Sequence, residues 1–217
     1  MRLYVHGAGR TGADAWPGAA LQDAVFADLE MTTEAAEQAT ALSRIPVVAP
    51  VSVIAHSFGA VPVLIALRDG YVSVDHLVLV EPALYDIARG NPAIERHIAI
   101  MSKAREHAHD GDLAAYWRIV RPLIFGGPFE PEKWNSEQAL ARRFSHITPP
   151  WGHDIDPEVI TPLHTLVLTG GWNAEYEAIA SALSDHSATH VRLEGNKHRV
   201  QDHPDFERVV AEFTTAR

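Results

Sequence analysis

The chain has 217 residues, a net charge of -10, 47% hydrophobic and 21% charged residues, and no cysteine. That length suits one well-filled core with at most a minor added layer, and the acidic balance disfavours nucleic acid and anionic membrane surfaces as partners. Disulfides, metal–thiolate sites and a thiol nucleophile are excluded, no apolar run is long enough to cross a bilayer, and the first residues read as a strand rather than a secretory signal, so the cytoplasm is the expected location.

Leu3-Tyr4-Val5 is the first predicted strand, and it runs into His6-Gly7-Ala8-Gly9. Gly7-Ala8-Gly9-Arg10-Thr11-Gly12 also satisfies the G-x-G-x-x-G dinucleotide fingerprint, with Asp28 or Glu30 near the distance of a ribose-binding acid. That fingerprint needs its last glycine in a helix, and Trp16-Pro17-Gly18 would interrupt such a helix after barely a turn. No nicotinamide cofactor is therefore expected. Val25-Phe26-Ala27 is a short second strand, followed by an alanine-rich helix from Thr33 to Leu42. The β-branched run Val51–Ala55 then stops at His56-Ser57-Phe58-Gly59 and gives way to an apolar helical segment, Ala60 to Leu67. A serine at such a strand-to-helix corner has its hydroxyl held clear of the sheet, and the corner needs small residues two before and two after it. Ala55 and Gly59 supply them. Leu77–Val80 is a fourth strand, ending in Glu81-Pro82.

From about Tyr85 to Asp156 the strand signal disappears. Helical patterns cover Ile94–His107, Leu113–Val120 and Glu137–Phe144, broken by glycines and prolines at 126–128 and 149–150. Tyr116, Trp117, Phe125, Phe129, Trp134, Phe144 and Trp151 are expected mainly to hold this helical layer to the sheet, with some lining an apolar pocket. Arg89, Arg118 and Arg121 suit a substrate carboxylate, although solvated helix arginines are commoner. The histidine clusters at 107–110 and 153–156 lack the spacing of a metalloprotease helix, so no metal is expected. Leu166–Leu168 and His190–Leu193 complete the strands. Between them Asn173 reads as the N-cap, and Glu175 as a first-turn acid, of a helix presenting Tyr176, Ile179, Ala180 and Leu183. A last helix is opened by His203-Pro204-Asp205, with Phe206, Val209, Val210 and Phe213 on one face.

The corner serine, the His-Gly loop after the first strand and the Gly195-Asn196-Lys197-His198 loop before the last helix occur in an order that resembles the α/β-hydrolase fold superfamily. The resemblance covers nearly the whole chain. It implies an α/β fold with a mostly parallel central sheet flanked by helices. The core would occupy residues 1–84 and 157–217, with a small helical cap inserted at 85–156. By the same resemblance Ser57 is the nucleophile, His198 its base, and the backbone N–H groups of Ala8 and Phe58 hold the oxyanion. The position where many members carry the triad acid aligns with Asn173, which is not an acid. Other members carry it one strand earlier, which points to Glu81, on the same carboxyl rim of the sheet as the serine. Glu175 is the second choice, and a strand-end carboxylate that merely bonds backbone amides is the plainer reading of Glu81. His6 and His56 are expected to bond local backbone. The implied activity is hydrolysis of an ester or related carbonyl compound of small to medium size through an acyl-enzyme. The same constellation in this superfamily serves thioesters, amides, carbon–carbon bonds and cyanohydrins, and a non-catalytic binding protein is the alternative from another class. The expected partner is a small-molecule substrate, with no cofactor.

Overall fold

Six short runs pair side by side, and the central ones are apolar enough to bury both of their faces, while β2 and β6 form the less buried edges. The structure, a computed structural model, describes residues 1–47 and 51–215. The strands are β1 (Arg2–Val5), β2 (Ala24–Ala27), β3 (Ser52–His56), β4 (His76–Val80), β5 (His164–Thr169) and β6 (Thr189–Arg192), in the order β2-β1-β3-β4-β5-β6. Every neighbouring pair is parallel.

Side chains alternate between two apolar clusters, as the strand period of two requires. Leu3, Val5, Val53, Ala55, Leu77, Leu79 and Val167 pack beneath α1 (Ala35–Leu42), α2 (Ala60–Arg68) and α6 (Ala174–Ser184). Tyr4, Ile54, Val78, Val80, Leu166 and Leu168 face the other way, onto Trp16 and α7 (Phe206–Thr215). Each fully buried Leu, Ile or Val contributes about 1.5–3 kcal/mol of transfer free energy.

Between β4 and β5 the described residues form no strand. Helices α3 (Pro92–His109), α4 (Leu113–Ile124) and α5 (Trp134–Ser145) fill this stretch around a cluster of their own, with Met101, Tyr116, Trp117, Val120 and Ala141 buried.

Some helix ends differ from the sequence expectation. The helix expected from Thr33 begins at Ala35, because Thr33 turns its N–H and hydroxyl back onto the Glu30 carbonyl. α4 runs through Pro122 to Ile124, where Leu123 and Ile124 still find apolar partners. α7 begins at Phe206, so Pro204 lies in the turn before it rather than in its first turn.

The chain leaves β1 for β2 on one side and returns to β3 on the other. This reversal opens a crevice beyond the carboxyl ends of β1 and β3, the usual ligand position in open parallel sheets.

Candidate active site

The β3 corner is built by close backbone approach. Ser57 has φ +54°, a left-handed conformation that few non-glycine residues adopt. A Cβ at position 59 would lie 2.3 Å from the His6 carbonyl oxygen and 2.9 Å from that of Val5, so only glycine fits there. A Cβ on Gly7 would in turn meet the Ser57 Cβ at 3.0 Å. The loop carrying Ala8 is thereby packed against the corner carrying Ser57 and Phe58. The Ala8 N–H donates to no acceptor among the described residues. The Ala8 and Gly9 carbonyls accept from Arg143 of α5, at 3.0 Å in the case of Gly9.

His198, in the loop after β6, places Nε2 3.1 Å from Ser57 Oγ and Nδ1 3.3 Å from Glu81 Oε2. Glu81 follows β4, has φ +45° and is completely buried. A buried carboxylate stays ionised only if donors replace water, and two further donors meet it. The Gly170 N–H donates to Oε1 at 2.6 Å and the Trp172 indole N–H to Oε2 at 2.7 Å. A carboxylate facing Nδ1 keeps the proton on that nitrogen and leaves the Nε2 lone pair for the serine hydroxyl.

Two contacts and one left-handed residue shape the histidine loop. Position 170 must be glycine, since a Cβ would lie 2.3 Å from the Lys197 carbonyl oxygen. Lys197 itself has φ +49°. His56 Nε2 donates to the His198 carbonyl at 2.9 Å. Burial, reinforced by the neighbouring His198, holds the His56 imidazole well below its ordinary pKa, so it is neutral. The expectation that His56 bonds local backbone is thus corrected: its partner is 142 residues away, brought in by the β6 loop. His6 does bond locally, donating from Nδ1 to the Gly7 carbonyl while Nε2 accepts the Leu29 N–H.

Asn173 does not approach His198; its Oδ1 accepts the Tyr176 N–H at 2.9 Å and caps α6. Glu175 is half-buried and acts electrostatically on Tyr85 and His97. Tyr176, expected only as part of an apolar helix face, stacks its ring on His198 with centroids 5.0 Å apart. Its buried phenol feels the charges of Tyr85 and Glu81 electrostatically. Burial raises the pKa of both phenols, so both stay protonated.

The arginines suited to a substrate carboxylate have other partners. Arg89 pairs with Glu95 at 2.7 Å, Arg121 with Glu137 at 3.3 Å, and Arg118 lies over the Phe129 ring. Among the described residues no group of histidines and acids is arranged to hold a metal ion, and no helix is long and apolar enough to cross a membrane. The glycine-rich β1 loop enters only a short 3-10 turn, Gly12–Ala15, not the helix a pyrophosphate would need. Most of the aromatics between β4 and β5 pack on one another, as in Trp117 with Phe125 and Phe144. A cleft of about 590 Å³ opens beside the β1 loop, with Gly9, Arg10, Asp14 and Arg143 in its wall.

Comparison with known proteins agrees with this architecture. The family model described as "Alpha/beta hydrolase family" matches residues 2–211, and the chain belongs to that family. No curated protein matches the sequence. Among solved structures, a hydrolase from Oleispira antarctica, olei00960, superposes with a TM-score of 0.65 at 14% identity, covering 99% of this chain and 91% of its own. MGS-M2, an alpha/beta hydrolase from a Medee basin deep-sea metagenome library, gives 0.60 at 14% identity, with 100% and 89% covered. A structure from a study of carboxylesterases of the Thaumarchaeon Nitrososphaera gargenis gives 0.58 at 11% identity, with 98% and 89% covered. These likenesses are of fold.

Proposed function

We propose that this α/β hydrolase is a serine hydrolase that cleaves an ester or closely related carbonyl substrate of small to medium size through an acyl-enzyme. One observation carries the reading: an unbroken line of contacts from Ser57 Oγ through both ring nitrogens of His198 to the buried Glu81. In that line Ser57 attacks the carbonyl carbon while its proton passes to His198 Nε2, which later gives it to the leaving group. Glu81 holds the productive tautomer and stabilises the imidazolium. The Ala8 and Phe58 N–H groups receive the oxyanion, where fixed donors favour the transition state over the ground state.

Residues 85–156 form the cap in this reading. The stretch is small, three helices between β4 and β5, and that favours a compact acyl group over a long lipid. A fluorophosphonate should label Ser57 alone, and Ser57→Ala should abolish both labelling and ester turnover at an unchanged melting temperature. Labelling that persists in Ser57→Ala removes the assignment. A panel of p-nitrophenyl esters from acetate to long acyl chains then measures the size preference.

A further inference from the structure

His198 is enclosed by rings as well as by hydrogen bonds. Its Nδ1 edge meets Glu81 and its Nε2 edge meets Ser57, so what remains of the imidazole is its two faces. Tyr176 covers one of them, with ring centroids 5.0 Å apart and planes 28° from parallel. The Asn173 cap fixes this tyrosine: Oδ1 accepts the Tyr176 N–H itself at 2.9 Å, so the bond that starts α6 also sets the backbone beneath the ring. Tyr176 is 8% exposed, and little water screens the contact. Two other rings lie close but are committed elsewhere. The Trp172 indole N–H donates to Glu81, and its ring stands 67° from the imidazole at 6.1 Å. His56, at 4.7 Å and 48°, is a neutral imidazole whose Nε2 donates to the His198 carbonyl.

Resting on the serine-hydrolase reading, the geometry points to Tyr176 as a positioning residue that acts through His198: its ring face stabilises the imidazolium formed during the reaction. The negative face of an aromatic ring attracts a cation within about 6 Å, and burial strengthens the attraction. In acylation the Oγ–H bond breaks toward Nε2 as the Oγ–C bond forms, and the carbonyl electron pair moves onto oxygen. His198 is then an imidazolium until Nε2 passes the proton to the leaving group. In deacylation a water proton goes to Nε2 while the water oxygen bonds to the acyl carbon. The C–Oγ bond then breaks, its electron pair settles on Oγ, and the proton returns there from Nε2. The cation forms in both halves of the reaction. An interaction that strengthens with that charge lowers both barriers without tightening substrate binding. Glu81 acts on the cation from the ring edge, and Tyr176 adds to it from the face, where no hydrogen bond can reach.

Phenylalanine analogues of rising fluorine content, placed at position 176 by amber suppression, drain the ring face of electron density while nearly keeping its shape. Tyr176→Phe retains the face and should turn over p-nitrophenyl acetate within about threefold of the unaltered protein. Replacing Tyr176 by difluoro- and then trifluorophenylalanine should lower log kcat and log kcat/KM together in steps, with KM constant, as for an interaction made only in the transition state. Tyr176→Leu has no face to offer and should lie at the bottom of the series, roughly 3- to 30-fold below the unaltered protein. Variants are compared at matched circular dichroism and melting temperature, and the fluorinated series carries the test if Tyr176→Leu does not fold. Equal turnover across that series overturns the proposal even where Tyr176→Leu is slow, because packing alone then accounts for the leucine variant. So does a loss confined to KM, which marks a substrate contact. If the unaltered protein neither hydrolyses the ester nor is labelled at Ser57 by a fluorophosphonate, the hydrolase reading itself falls and this proposal with it. A labelled, active protein indifferent to fluorination sinks this proposal alone.

Discussion

The carboxyl ends of β4 and β5 lie side by side and meet His198 in opposite ways. β4 ends in a carboxyl group, Glu81, on left-handed backbone and completely buried. β5 ends in donors: the Gly170 N–H and the Trp172 indole both reach the Glu81 carboxylate, while Asn173 turns away to cap α6. One strand supplies the charge and its neighbour supplies the groups that replace the charge's water. An acid is usable only where such donors already converge, because an unsolvated carboxylate in the interior would take up a proton instead. Under the proposed assignment, proximity in the chain to the conventional acid position matters less than this division of labour.

The largest effect that sharpens the contrast is expected for Glu81→Gln. The amide supplies no charge and favours the wrong histidine tautomer, so ester turnover should fall by about 10⁴-fold with the fold intact. Turnover within a factor of ten of the unaltered protein, at equal circular dichroism, would show that β4 does not supply the orienting acid. On the β5 side, Gly170→Ala drives a Cβ into the Lys197 carbonyl. Denaturant titration should show a loss of about 1–3 kcal/mol, typical of overpacking, and turnover should drop because the loop bearing His198 must move. An alanine accepted at no cost would mean that this close approach does not hold the loop. The smallest effect belongs to Asn173→Ala, about 1 kcal/mol of stability for a lost N-cap with turnover unchanged. If that variant instead lost activity without losing stability, the roles of the two strand ends would be reversed.

The sheet was legible because buried parallel strands are continuous apolar runs, and β1 to β6 each fall within a residue or two of the expected segments. The β3 corner was legible because crowding selects small residues at fixed offsets, and Gly59 is the position where that crowding is most severe. Other parts of the site left no local trace. Tyr176 has the helical spacing of an apolar face whether or not its ring stacks on His198. His56 takes its partner from a loop 142 residues away, and nothing near position 56 encodes that. Gly170-Gly171-Trp172 after a strand was a visible signal, since glycine there permits close backbone approach, but its target, Lys197, is fixed only when β6 docks. Helix ends were missed where a side chain and its own backbone close a turn, as at Thr33.

The span between Ser57 and His198 has a consequence for how the protein is made. Their hydrogen bond joins residues 141 apart in sequence, and chains leave the ribosome from the amino end. The serine corner and Glu81 are therefore synthesised long before the loop that carries the base. A nascent chain, or a fragment cut short of β6, holds a serine hydroxyl with no histidine to accept its proton. Under the proposed assignment hydrolytic activity switches on only with the last strand, so incomplete copies are silent toward the cell's esters.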